Sequence, residues 1–391
     1  MICASALSTA RNTDTAFRDV LDRVAEGFGS AVPKLAVAFV SAHHADALGR
    51  LASLFRERYP DARFLGVTGE TIIGEGQEIE GATAVSLWAI ALPDDVVVQP
   101  VRLSWNGDAF EGDILPKRAE AKSGANTLLL FGDPFSFPVD SLFKDLETSD
   151  PSLRVVGGMA SASHVAGGNR LALDDKVYED GAAGVWLDGP FTIRTVVSQG
   201  CRPIGRPMII TRVEGNVIKD LGRRAAIEVL RETFETLDED DQKLIREGLH
   251  VGRVINEYQE SFGRGDFLIR NVMGADNEGG IAITDTVRVG QTVQFHVRDA
   301  RTADEDLRTL LAESIATHRS AKAAGGLLFS CNGRGSRLFP APDHDASSIQ
   351  DALGPIPTAG FFARGEFGPV GGKNFVHGFT ASLAIFEEVE R

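Results

Sequence analysis

The sequence is poor in the features that mark several large classes of protein. It has only three cysteines among 391 residues, Cys3, Cys201 and Cys331, and no CxxC pair. Three cysteines cannot make a disulfide framework, which indicates a reducing, cytoplasmic setting. No run of about 18 apolar residues is present, and the opening residues lack the basic start of a signal peptide. We therefore expect no membrane insertion.

Positive charge and the motifs of common enzymes are also scarce. Lys and Arg number 40 against 55 Asp and Glu, so the formal net charge is −15. An acidic surface repels phosphates, and we expect no nucleic-acid partner. The motifs GxxxxGK[ST], GxSxG and HExxH are absent, and the eight histidines show no metal-ligand spacing. We expect neither a metal site nor a cofactor.

What the sequence does have is one order of elements that recurs three times. A buried strand is followed by a helix, a second strand that runs into a glycine turn, and a closing strand. The three first strands are predicted at Leu35–Ser41, Asn126–Asp133 and Gly326–Cys331. In each copy a glycine of the second strand lies 30 to 33 residues after a residue near the start of the first strand: Gly66 after Leu35, Gly157 after Thr127 and Gly360 after Leu327. The shared order and spacing indicate internal duplication.

These elements predict an α/β fold of α+β mixed type, in which repeated β-α-β-β units form mixed sheets flanked by helices. Glycine-rich connections after the second strands predict hairpins, so purely parallel sheets are not expected. A helix from Thr13 to Gly27, capped by Thr13 or Asp14, precedes the first copy. We predict two closely packed domains, 1–205 with two copies and 206–391 with a hairpin, helices and the third copy. The sequence leaves open whether the copies share one sheet.

The sharpest candidate for a binding site is the SCNGRG turn that follows the third predicted first strand. Gly333 and Gly335 let the backbone approach a ligand, and Arg334 can hold a carboxylate through two hydrogen bonds. Arginine and turn amides beside Cys331 would also favour its thiolate. The alternative is a structural cysteine beside an ordinary turn.

Three further places supply candidate residues. Glu366 and His377 follow the second strand of the third copy, and with Cys331 they form a conceivable catalytic triad. The GCRPIG segment places Cys201 and Arg202 between glycines at the predicted domain junction, where a structural hinge is the alternative. Hydroxyls beside glycines can bind a carboxylate or phosphate, which adds the turn at Ser161.

The segments GVTGE (66–70), VVGGMAS (155–161), GCRPIG (200–205), SCNGRG (330–335) and GFFARGEFGPVGG (360–372), with HGFTASLAIF (377–386), together resemble the FIST family. The resemblance covers nearly the whole chain, as a FIST N-terminal domain followed by a FIST C-terminal domain, and it implies a stand-alone bacterial-type member. It further implies a sensory role in signal transduction, with small ligands such as amino acids bound. The family supplies no catalytic residues, and the downstream signalling protein is not identified by the sequence.

Three functional hypotheses follow. The first is a sensor that binds a small carboxylate near Cys331, Arg334 and Glu366, with Cys201 and Arg202 nearby. The second is an enzyme that uses Cys331 as its nucleophile. The third is a scaffold whose repeated units bind a protein partner.

Overall fold

A computed structural model describes residues 1–113, 115, 124–263, 265–318 and 322–388. Seven α-helices lie in this part of the chain: α1 (Thr13–Phe28), α2 (Leu48–Arg58), α3 (Val139–Ser149), α4 (Ala226–Thr236), α5 (Glu239–Glu247), α6 (Ala300–Thr317) and α7 (His344–Leu353). The strands are β1 (Ile2–Ser8), β2 (Leu35–Ser41), β3 (Arg63–Gly69), β4 (Ile72–Gly74), β5 (Gln77–Ile79), β6 (Val85–Ala91), β7 (Val97–Trp105), β8 (Phe110–Gly112), β9 (Ala125–Gly132), β10 (Arg154–Met159), β11 (Leu171–Leu173), β12 (Lys176–Tyr178), β13 (Ala182–Gly189), β14 (Phe191–Gln199), β15 (Cys201–Glu214), β16 (Val217–Leu221), β17 (Arg224–Ala225), β18 (Leu249–Val254), β19 (Phe267–Ala275), β20 (Ile281–Ile283), β21 (Thr292–Arg298), β22 (Ala323–Cys331), β23 (Thr358–Ala363), β24 (Glu366–Val370), β25 (Lys373–His377) and β26 (Thr380–Glu388).

The chain divides into two compact units. The first comprises Met1–Val197, Leu307–Val376 and Thr380–Arg391, and the second comprises Ser198–Asp306 with His377–Phe379. This division differs from the boundary expected at residue 205. The third copy belongs to the same unit as the first two, and the hairpin-and-helix region is inserted in the chain between the second and third copies.

Three mixed sheets with a common strand order make up the first unit. Their orders are β1-β6-β2-β3-β11-β12, β8-β7-β13-β9-β10-β24-β25 and β14-β26-β22-β23-β4-β5. In every sheet the first and second strands of a copy are parallel, and the closing strand pairs antiparallel with the first. The predicted class of mixed sheets flanked by helices is confirmed.

The hairpin that follows each second strand leaves its own sheet and completes that of another copy. Hairpin β4–β5 of the first copy pairs with β23 of the third, and β11–β12 of the second pairs with β3 of the first. Hairpin β24–β25 of the third copy joins β10 of the second. The exchange is cyclic, so the three sheets are tied into one closed arrangement, which we call the hairpin ring.

An aromatic cluster lies where the three first strands meet. Phe39, Phe131 and Phe329 are fully buried, and their ring centroids lie 5.7, 6.0 and 6.5 Å apart in the three pairings. The residue just before each phenylalanine pairs with the glycine of the neighbouring second strand: Ala38 with Gly66, Leu130 with Gly157 and Leu328 with Gly360. The three first strands therefore contribute a phenylalanine from matching positions to one shared core.

The glycines of the second strands are required by the close approach of the first strands. A Cβ on Gly157 would lie 2.0 Å from the carbonyl oxygen of Leu130, and one on Gly360 would lie 1.8 Å from that of Leu328. No side chain fits at either distance. This contact explains why the sequence shows glycine at the same place in the second and third copies.

The second unit is an antiparallel barrel with two helices. Its strands follow the order β15-β21-β18-β19-β20-β16-β17, and an additional pairing of β15 with β16 closes the sheet on itself. Ile204, Val251 and Phe295 belong to the buried apolar cluster of this unit. Over the described residues of both units, no helix is long and apolar enough to span a bilayer.

Candidate functional site

The carboxyl ends of the parallel strands of all three copies meet in the first unit. The Glu70 N–H donates to Ser161 Oγ at 2.9 Å, and the Ser161 hydroxyl donates to the carbonyl of Phe362. The Arg364 N–H donates to the Met159 carbonyl at 3.1 Å. Ser161, a predicted ligand-binding residue, is thus buried and holds these strand ends together.

The SCNGRG turn joins the same convergence. The Asn332 N–H donates to the Ala363 carbonyl at 3.1 Å, and Arg337 Nη1 donates to the Asn332 carbonyl at 2.8 Å. Arg337 also forms an ion pair with Glu70. Cys331, at the end of β22, is partly buried. Ligands of open α/β sheets bind at such strand ends, which makes this convergence the candidate site.

Arg334 lies beneath this surface and is fully buried. Its Nε and Nη2 donate to the two carboxylate oxygens of Asp345, both at 2.7 Å. Burial opposes ionisation of Asp345, but the adjacent guanidinium outweighs it and lowers the pKa of this carboxyl. Arg334 was predicted to hold the carboxylate of a ligand, whereas its two hydrogen bonds go to the carboxylate of Asp345. Of its three nitrogens, only Nη1 has no hydrogen-bond partner among the described residues.

Two buried glutamates flank the Arg334–Asp345 pair. Glu78 Oε1 accepts from the N–H groups of Asp345 and Ala346 at 2.9 and 3.0 Å. Burial, with a contribution from the Asp345 charge, raises the pKa of Glu78 to about 8. Burial likewise raises the pKa of Glu366 to about 8, and Thr380 donates its hydroxyl to Glu366 Oε2 at 2.7 Å. Both glutamates are therefore mostly uncharged at pH 7.

Several buried polar atoms around this site make no hydrogen bond within the described chain. They are Asn332 Oδ1, Arg334 Nη1, Glu366 Oε1 and Glu78 Oε2. Such atoms are uncommon in folded proteins, because an unmade buried hydrogen bond is costly. The strand ends of the third copy are therefore richer in unused hydrogen-bonding capacity than an ordinary core.

Arg364 also belongs to this site, although the sequence patterns did not indicate it. It is partly buried, donates to His164 Nδ1, and places its guanidinium 5.5 Å from the ring centre of Phe135. Among the described residues it pairs with no carboxylate, unlike Arg334, Arg337 and Arg202. The residue stands within the quoted GFFARGEFGPVGG segment, but only the fold shows that no acid in the described part of the chain pairs with it.

The remaining predicted residues belong to the second unit and are described there alone. Cys201 is buried against Phe267 and Ile269. Arg202 is held by two aspartates, Asp241 and Asp299, with Nε 2.9 Å from Asp299 Oδ2. His377 is buried as well. Gly333, Gly335 and Glu366 lie in the first unit with Cys331 and Arg334, so the structure divides the predicted residues between the two units.

Comparison with known proteins gives two domain matches and several bacterial relatives. The FIST N domain matches residues 34–224, and the FIST C domain matches residues 226–369. The uncharacterized protein Rv0628c of Mycobacterium tuberculosis is 41% identical over 382 residues, which cover 97% of this chain and 98% of that protein. The uncharacterized protein Mb0898c of Mycobacterium bovis is 41% identical over 355 residues, 90% of each chain.

Proposed function

We propose that this chain, which belongs to the FIST family, is a sensory protein that binds a small carboxylate-bearing molecule where the parallel strands of its first unit end. FIST domains are regarded as small-ligand sensory domains of signal transduction. The relatives are uncharacterized proteins, so the choice of ligand depends on the site itself.

The observation that carries the proposal is the unneutralised charge of Arg364. A guanidinium stays charged at any physiological pH and presents a fork that fits a carboxylate. Partial burial reduces solvent screening, so an anion bound there gains more than it would at an open surface. The other arginines of the predicted motifs, Arg334 and Arg202, already hold aspartates.

The protonation state of the buried acids supports an anionic ligand. Glu78 and Glu366 hold their protons at pH 7, because burial raises the pKa of each to about 8. The buried network therefore carries one positive and one negative charge, which offset each other. An incoming carboxylate meets little repulsion from this network.

A cytoplasmic location is part of the same proposal. Cys3, Cys201 and Cys331 are not joined in disulfide bonds. Free thiols persist in a reducing compartment, which suits a sensor of intracellular metabolites.

The test is calorimetric titration of small carboxylates and amino acids into the purified chain and into Arg364→Gln. A ligand at about 100 times its dissociation constant should also stabilise the fold by roughly 2.7 kcal/mol in a thermal-shift assay. Arg212→Gln is the matched control, because Arg212 is exposed and pairs with Asp220 in the second unit. Binding that survives in Arg364→Gln would refute the assignment of the site, and no binding by any probe would favour a protein-binding scaffold.

Catalysis by Cys331 is the second candidate function. The Gly333 N–H donates to the Cys331 sulfur at 3.4 Å, a contact that stabilises a thiolate. An enzyme of this kind would turn over a ligand that the sensor only binds. Cys331→Ser should leave carboxylate affinity unchanged under the sensor proposal, whereas loss of a measured turnover in that variant would establish the enzyme.

A further inference from the structure

Two exposed apolar residues occur at the places that the partly buried Arg364 contacts. Phe135, whose ring lies 5.5 Å from the guanidinium, is 42% exposed, and Val165 is 65% exposed. Val165 directly follows His164, which accepts a hydrogen bond from Arg364. Single exposed apolar residues are ordinary, but here one contacts Arg364 and the other is the chain neighbour of a residue that Arg364 contacts. The surface thus combines a site for an anion with a site for an apolar group.

Three acids at the adjoining strand ends, Asp133, Glu70 and Glu179, are engaged by other groups, and the buried Glu366 accepts from the Thr380 hydroxyl. Asp133, at the end of the second copy's first strand, is buried and accepts from the Phe135 N–H at 3.1 Å and from Ser136 Oγ at 2.7 Å. Glu70, after the first copy's second strand, pairs with Arg337. Glu179, beyond β12, pairs with Arg170 at 3.2 Å. An ammonium group bound beside Arg364 would have to compete with these donors for a carboxylate.

We propose that the ligand is an apolar monocarboxylate, an aryl- or branched alkyl-carboxylic acid that has neither an ammonium group nor a second carboxylate. This inference rests on the proposed function, since it names the class of molecule that Arg364 holds. The carboxylate accepts hydrogen bonds from the Arg364 guanidinium. The apolar body covers Phe135 and Val165 and removes them from water. The ammonium group of a zwitterionic amino acid would find no unpaired carboxylate here among the described residues. The second carboxylate of a dicarboxylate would likewise find no second unpaired cation here among them.

Four probes that differ by one group at a time test the class by calorimetry: 3-phenylpropionate, L-phenylalanine, phenylsuccinate and propionate. L-phenylalanine adds an ammonium, phenylsuccinate adds a carboxylate, and propionate lacks the ring. We expect 3-phenylpropionate to bind at least about tenfold more tightly than each of the other three, as groups of this size commonly discriminate. L-phenylalanine or phenylsuccinate binding as tightly as 3-phenylpropionate would overturn the inference.

Variants distinguish an error in the proposed ligand class from an error in the proposed sensory function. Phe135→Ser and Val165→Ser should each weaken 3-phenylpropionate several-fold and leave propionate unchanged, with unaltered melting temperatures showing that the fold is intact. If phenylalanine binds best and Arg364→Gln abolishes that binding, the sensor proposal stands and the ligand class is wrong. If no probe depends on Arg364, both fail.

Discussion

The buried carboxyl of Glu366 should make the stability of the first unit fall as the pH rises. Its pKa is raised from 4.5 to about 8 in the folded chain, because the side chain is fully buried. Between these values the folded state keeps a proton that the unfolded state has lost. Each pH unit then costs about 1.36 kcal/mol, and the whole interval costs roughly 5 kcal/mol. The stabilisation is complete below pH 4.5 and is lost by pH 8.

Replacing Glu366 by Gln should remove the part of this pH dependence that Glu366 contributes and leave the part that the buried Glu78 contributes. Glutamine resembles the protonated acid, and its oxygen can accept from Thr380 as Glu366 Oε2 does at 2.7 Å. We expect the variant to match the parent near pH 4.5 and to exceed it by several kcal/mol at pH 8.5. Denaturant unfolding followed by tryptophan fluorescence measures the first unit, because Trp88, Trp105 and Trp186 all lie in it.

The control is Glu235→Gln, which changes an exposed glutamate on α4 of the second unit. Its stability curve should run parallel to that of the parent at every pH. Parallel curves for Glu366→Gln and the parent would refute the reasoning, because they would show that folding does not change the proton affinity of Glu366.

Three other perturbations have defined outcomes. Asp345→Asn leaves Arg334 buried without its anion and should lower the free energy of unfolding by about 3–5 kcal/mol in urea titrations. Gly360→Ala places a Cβ against a backbone carbonyl and should lower the free energy of unfolding by at least about 3 kcal/mol. The control Gly326→Ala, whose Cβ would have its nearest atoms at 3.5 Å, should lower it little. Equal denaturation midpoints for the two variants would contradict this. Burial lowers the pKa of His296 from 6.5 to about 4, so between these values only the unfolded state takes up the proton, and the second unit should lose roughly 3 kcal/mol as the pH falls across that range. Unchanged protection of the β18 and β21 amides from hydrogen exchange would contradict this, because it would show that the folded histidine binds the proton as readily as the unfolded one.

Sequence patterns predicted those helices and strands whose formation depends on residues close to them in the chain. The first helix was expected over Thr13 to Gly27, and α1 covers Thr13–Phe28. Its cap differs, since the Asn12 side chain accepts from the Thr15 N–H at 3.0 Å where Thr13 or Asp14 was expected. The strand predicted at Leu35–Ser41 is β2 without change. The spacing of apolar residues within a window of about a dozen positions is enough to predict such a helix or strand.

The arrangement of these elements could not be predicted in the same way. Gly74 of β4 pairs with Ala359 of β23, far along the chain, and the hairpin sequence carries no signal that identifies this partner strand. The partner of Arg334 was equally hidden, because Asp345 is one of several acids in the region. The importance of Arg364 depends on which acids lie near it in space, and that is a property of the folded chain.

Because of the hairpin ring, the first unit cannot be completed until the last strands of the chain have been synthesised. The core needs Phe131 and Phe329 together, yet a ribosome adding roughly 5–20 residues per second reaches the second of them on the order of 10–40 s after the first. During that time β10 lacks the hairpin β24–β25 that covers its edge. A nascent chain with an open apolar edge pairs readily with other chains. The edge of β10 is therefore open to pairing with other chains until the last strands of this chain have been made.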